Sequence, residues 1–133
     1  MAETAASLKL TYEGAQKMLA AAVAKATAMG VPQCIAVVDD GANLLAFARM
    51  DGAKVLSVDS AWRKAMTAAS GRAPTGGMAE GLDIRLALAT NGKLVNVKGG
   101  VPIIVDGHTI GGIGVGSGTG DQDLEVAKAG LAA

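Results

Sequence analysis

The sequence predicts an α+β fold, with helices covering a central antiparallel sheet of about five strands. Two observations carry that expectation. Segments with apolar residues three and four apart alternate with pairs of short apolar runs joined by Asp-, Gly- and Asn-containing turns. Alanine is abundant up to Ala89, absent from Thr90 to Val126 and back at Ala127, which marks a β-rich stretch between helical ends. Hairpins alternating with helices favour helix layers on an antiparallel sheet over a doubly wound parallel one.

From Thr11 to Met29, the residues Ala15, Met18, Leu19, Ala22, Val23 and Ala26 lie on one helical stripe, which Gly30 and Pro32 end. Cys34 to Val38 and Leu44 to Met50 flank the turn Asp39-Asp-Gly-Ala-Asn43, so a hairpin follows. Helical spacing returns from Ser57 to Ser70, with Val58, Trp62, Met66 and Ala69 as its stripe and Gly71 as its stop. Ser60, Lys64 and Thr67 share another face, read as solvated, with the cleft between helix and sheet as the alternative. Ala73 to Glu80 holds at most a short helix, and Ile84 to Ala89 is a helical turn or a strand. Asn91-Gly92 is then a turn and Leu94 to Val97 a short strand. Val101 to Val105 and Thr109 to Ser117, joined by Asp106-Gly107-His108, make a second hairpin. The last helix has a marked start: Thr119 as cap, Gln122 as its reciprocal partner, and Asp121, Asp123 and Glu125 near the positive helix end.

The glycine-crowded segment Gly99 to Gly120 invites a nucleotide-binding reading, which its register excludes. A G-x-G-x-x-G starting at Gly112 meets Ser117 in the sixth position, one starting at Gly114 meets Thr119, and one starting at Gly116 meets Asp121. Only 13 residues follow Gly120, too few for the crossover and second strand that a dinucleotide fold needs. In a strand, Ile113 and Val115 face one way and Gly112, Gly114 and Gly116 the other. Such a bare face suits close packing by a helix or subunit. It also suits a groove floor for a flat ligand, with Gly99-Gly100 at the entrance.

A chain of 133 residues suits a single domain, residues 1–133. Twelve basic and twelve acidic side chains, with Tyr12, Phe47 and Trp62 as the only aromatics, argue against a nucleic-acid partner. No apolar run reaches the roughly 20 residues of a membrane span. The segment Met1 to Ser7 does not read as a signal peptide, and the single Cys34 excludes an internal disulfide, so a cytoplasmic location is expected. His108 is the only histidine, which excludes multi-histidine metal sites, and no metal is expected. Among charged residues, Arg49 ends a strand and can bind a carboxylate through its two-pronged donor face, with a surface pair to Asp51 as the plainer reading.

Several segments together resemble one family from Leu10 to Ala133. They are Ala36-Val-Val-Asp39, Ala48-Arg-Met-Asp-Gly-Ala53, Ser57-Val-Asp-Ser-Ala61 with Lys64-Ala65 and Thr67-Ala68, and Gly99-Gly-Val-Pro102. Val105-Asp-Gly107, Ile110-Gly-Gly-Ile-Gly-Val115, Asp121-Gln-Asp123 and Ala127-Lys-Ala-Gly130 complete the order. The chain is similar to the GlcG/HbpS family, also found as the C-terminal domain of PduO proteins. The resemblance implies a profilin-like fold, homo-oligomers (tetramers or octamers), and a small anionic or tetrapyrrole ligand, with haem the named cofactor. The first helix carries no histidine, which leaves Cys34, His108 and the six methionines, Met18, Met29 and Met50 foremost among them, as candidate iron ligands.

The resemblance also implies a ligand site of Arg49, Asp51, Lys64, Gly99 and Gly100. An enzyme reading, an isomerase, hydratase or hydrolase acting on a carbonyl or carboxylate compound, would use Lys64 or His108 to move protons. Arg49 would hold the anion, and Asp39 or Asp51 would orient. A third reading is a structural or accessory subunit whose glycine face serves assembly.

Overall fold

The Thr11 hydroxyl accepts a hydrogen bond from the Gly14 N–H at 3.0 Å and starts helix α1, Tyr12–Met29, which Gly30 ends in the left-handed conformation. The computed structural model describes residues 2–133. After α1 come β1 (Cys34–Asp39), β2 (Leu44–Arg49), α2 (Ser57–Gly71), α3 (Leu82–Ala89), β3 (Gly100–Val105), β4 (His108–Gly116) and α4 (Gly120–Leu131). Ile84 to Ala89 is thus helical, and Ala73 to Glu80 contains no helix.

The four strands form one antiparallel sheet in the order β2-β1-β4-β3. Alternation along β1 divides the core in two. Ile35 and Val37 join Ile113, Val115, Val101 and Ile103 beneath α1 and α4, whereas Cys34, Ala36 and Val38 lie beneath α2 with Ala61, Ala65 and Ala69. The α+β class holds, with two helices on one face and one on the other.

The fifth strand expected at Leu94 to Val97 does not form, and the sheet has four strands. The physical reason is that side-chain hydroxyls, rather than a neighbouring strand, satisfy this backbone. Thr90 Oγ1 accepts from Leu94 N at 3.0 Å, Thr67 Oγ1 accepts from Val95 N at 3.0 Å, and Thr75 Oγ1 donates to the Val97 carbonyl. The segment runs as a strap across the outer side of α2.

The bare glycine face is covered by α2 of the same chain. A Cβ at Gly114 would run into the Ala61 carbonyl and the Ala65 nitrogen, and one at Gly112 into the Ala65 carbonyl. This strand face is therefore filled by helix backbone, which removes it both as a ligand floor and as an assembly surface. At the C-terminus both halves of the expected capping box are present: Gln122 N donates to Thr119 Oγ1 at 3.2 Å, and Thr119 N to Gln122 Oε1 at 2.9 Å.

Candidate functional site

Lys64 is buried, 3% exposed, and not on a solvated face. Its Nζ donates to Asp123 Oδ2 at 3.0 Å and to the Val115 carbonyl at 2.8 Å. Asp123 Oδ1 in turn accepts from Gly118 N at 3.0 Å, and Gly118 N also donates to Gln33 Oε1 at 3.1 Å. Gly99 belongs to the same joint, since a Cβ there would stand 3.0 Å from Lys64 Nζ and 2.8 Å from the Asp123 Cβ. Gly100 lies against the Lys64 carbonyl and Thr75. The structure thus brings Lys64, Gly99 and Gly100 together, but as a filled connection between α2, β4 and the start of α4.

The other expected members stand apart. Arg49 lies at the end of edge strand β2, while Gly100 starts the opposite edge strand β3, three inter-strand spacings or about 14 Å away. Arg49 and Asp51 are both exposed and form no ion pair among the described residues. His108 begins β4 eight residues before Gly116, about 26 Å along the strand from the Arg49 end of the sheet. Arg49, Lys64 and His108 therefore do not share a pocket. Asp39 ends β1 and ties the following turn, its Oδ1 accepting from Gly41 N and Asn43 N at 2.9 Å each.

Cys34 is fully buried at the start of β1. Burial pushes its thiol up from the usual range, and the nearby positive charge of Arg49 offsets this only in part, so the reactive thiolate is disfavoured. Elsewhere, hydrogen bonds hold two carboxyls low. Asp83 is lowered first by the Asn96 side chain and then by the Ile84 N–H, and Asp121 by Lys98.

Open space instead lies along the outer side of α2. Thr67 fixes the strap there, and the strap, the β1–β2 turn and the helix enclose a hollow of about 200 Å³ bordered by Ala42, Met66, Ser70, Lys93 and Leu94. An adjoining hollow of about 340 Å³ adds Trp62, Asn43 and Leu44 and shares Met66 and Lys93. Towards the hairpin turns, a third of about 400 Å³ shares Ala42 and Ser70 and reaches Asp40, Arg72 and Thr109. The last, about 250 Å³, shares Asp40 and Arg72 and adds His108, Ser7 and Leu8. Together they form a groove, apolar around Trp62, Met66 and Leu94 with Lys93 beside them, and polar around Asp40, Arg72, Thr109 and His108.

Trp62 and Met66 were expected in the core stripe. They are half-buried at its rim, because Ala61, Ala65, Ala68 and Ala69 occupy the closest approach to the sheet. The Trp62 Nε1–H is buried without a hydrogen-bond partner among the described residues, an unusual condition for an indole. Arg72 and Lys93 carry no signal in the sequence that distinguishes them from loop residues, and Leu94 reads there as the start of a strand. Their role follows from the path of the strap and from the end of α2.

A four-stranded antiparallel sheet with a glycine strand under one helix, a buried Lys-Asp joint and a groove outside that helix defines a class of small α+β domains. The chain belongs to the HbpS-like family: the family described as "Haem degrading protein HbpS-like" matches residues 10–132. It is 41% identical to the protein GlcG of Escherichia coli K12 over 107 residues, 80% of each chain. The crystal structure of a double mutant of Streptomyces reticuli HbpS matches with a TM-score of 0.87 and 40% identity, covering 99% of this chain and 91% of that one. The structure of a PduOC–haem complex matches with a TM-score of 0.86 and 28% identity over 94% of both chains. No helix among the described residues is long and apolar enough to cross a membrane.

Proposed function

We propose that the chain binds haem, or a tetrapyrrole of the same flat, carboxylate-bearing kind, in the groove outside α2. The observation that carries this reading is the order of chemistry along the groove. Trp62, Met66 and Leu94 line its apolar half with Lys93 beside them, and Arg72 lines its polar half. An apolar ring suits the first half, and ionised propionates suit Lys93 and Arg72.

The candidate iron ligands support the same placement. Met18, Met29 and Met50 pack on the core beneath α1 and α4, and Met50 Sδ accepts a hydrogen bond from Gln33 N at 3.4 Å. Cys34 is closed to solvent. Met66 and His108 both line the groove, so a soft thioether and an imidazole are available. Haem held there supplies an iron centre for redox chemistry, while the chain contributes the walls, the counter-charges and the thioether. The haem in the PduOC complex and the family's description support the ligand class.

The homo-oligomer implied by the resemblance is supported by α3, which buries no residue and leaves Leu82, Ile84 and Leu88 exposed, Leu88 by 76%.

Titration with haemin tests the ligand reading. A saturable change in the Soret band at about one haemin per chain is expected. A Soret spectrum that stays that of free haemin at near-stoichiometric concentrations overturns it.

A further inference from the structure

The end of the groove nearest the hairpin turns differs from its middle, because it is lined by polar groups that the fold does not use. Arg72 ends α2 in the left-handed conformation, φ 57° and ψ 33°, its backbone N–H donating to the Ala68 carbonyl at 2.9 Å. Glycine is the ordinary residue there, and Gly71 stands one position too early to serve. An arginine is thus held in a backbone conformation that disfavours it. Strain of this kind accumulates at ligand clamps.

The side chain of Arg72 makes neither an ion pair nor a hydrogen bond among the described residues, and the one carboxylate beside it, Asp40, pairs with Lys9 at 3.8 Å. Ser70, Thr109 and His108 line the same space, and their side chains also have no partner within the chain among the described residues. Thr67, Thr75, Thr90 and Asn96 all bond to backbone. The exposed Ser70 and His108 and the half-buried Thr109, as donors around an unpaired guanidinium, can take an acceptor with two oxygens in one plane. Asp40 in the wall repels a dianion, so a carboxylate fits better than a phosphate.

We infer that this hollow is a carboxylate-binding site, in which Arg72 grips the carboxylate and Ser70, Thr109 and His108 complete the donor shell. The carboxylate is either that of a small free acid or a propionate of the ring in the groove. Only the second case rests on the haem reading.

The test uses the full chain and two probes. Sodium propionate, against sodium chloride at matched ionic strength, is titrated while the NMR signals of the Arg72 Nε–H and the Ser70 and Thr109 amides are followed. Haemin is compared in parallel with its dimethyl ester, which lacks the carboxylates. The site predicts saturable shifts with propionate alone, haemin affinity at least tenfold above that of the ester, or both, with each effect lost in Arg72→Gly. Arg72→Lys keeps the charge without the fork and should weaken binding severalfold. Glycine suits the backbone at 72, so Arg72→Gly should melt no lower than the parent, and the loss cannot be ascribed to unfolding. Propionate binding without any haemin binding upholds this site and sinks the haem reading. Haemin binding that ignores esterification and Arg72, with no propionate response, overturns this site and leaves the haem reading intact.

Discussion

Gly114→Val is expected to leave the chain unable to fold stably. The added carbons would enter the space of the Ala61 carbonyl and the Ala65 nitrogen, both backbone atoms that no rotamer change can move. Helix α2 would have to lift away from β4, opening the core formed by Cys34, Ala36, Val38 and the helix alanines. Overpacking in a filled core typically costs about 1–3 kcal/mol and more where backbone must shift. Against a total stability of about 5–15 kcal/mol, the milder Gly114→Ala alone should lower the denaturation midpoint sharply. The control is Gly77→Ala, where no atom lies within 4 Å of the new Cβ and a change below about 0.5 kcal/mol is expected. Equal midpoints for the Gly114 and Gly77 variants in urea denaturation would refute this packing.

The second large effect is at the buried pair. Lys64→Met should destabilise by about 3–5 kcal/mol, because it leaves the Asp123 carboxylate inside the protein without its counter-charge. Asp123→Leu should do comparable damage by stranding the ammonium. Lys64→Met combined with Asp123→Leu should recover much of the loss, since neither charge then remains buried. A double-mutant cycle measured by denaturation decides the point. Additive losses would mean that the two side chains act independently, against the 3.0 Å contact. A large favourable coupling would identify Lys64 as the clamp that holds the start of α4 to β4.

Elements governed by local rules were legible in the sequence. The stripe of Ala15, Leu19, Ala22 and Ala26, the Thr119–Gln122 box and the two hairpin turns all appear as expected, because spacing and capping chemistry act within a few residues. The strap at Leu94 to Val97 was not legible. Its composition suits a strand, and only the hydroxyls of Thr67, Thr75 and Thr90, distant in sequence or unremarkable in it, divert its backbone from the sheet.

The candidate site was less legible than the fold: Lys64, expected in it, faces Asp123 across 59 residues in a filled joint, and nothing local marks the pair. A signal for the helix-on-glycine packing did exist. Ala61, Ala65 and Ala69 rise about 6 Å per step along α2, and Gly116, Gly114 and Gly112 about 6.6 Å per step along β4, so small residues can meet in register. That match explains why Trp62 and Met66 sit at the rim: the closest contact leaves no room for them, and their side chains border the groove instead.

The central claim is that the ligand lies outside α2 and not beneath α1 and α4. Methionine labelled at its methyl carbon, observed by NMR during titration with ferric haemin, reads this directly, because a paramagnetic iron broadens nearby nuclei most. Met66 borders the groove, whereas Met18, Met29 and Met50 pack on the other side of the sheet. The account predicts that the Met66 methyl signal disappears first, in proportion to haemin added, while the signals of Met18, Met29 and Met50 persist. Loss of the Met18, Met29 or Met50 signals with a sharp Met66 signal would contradict it.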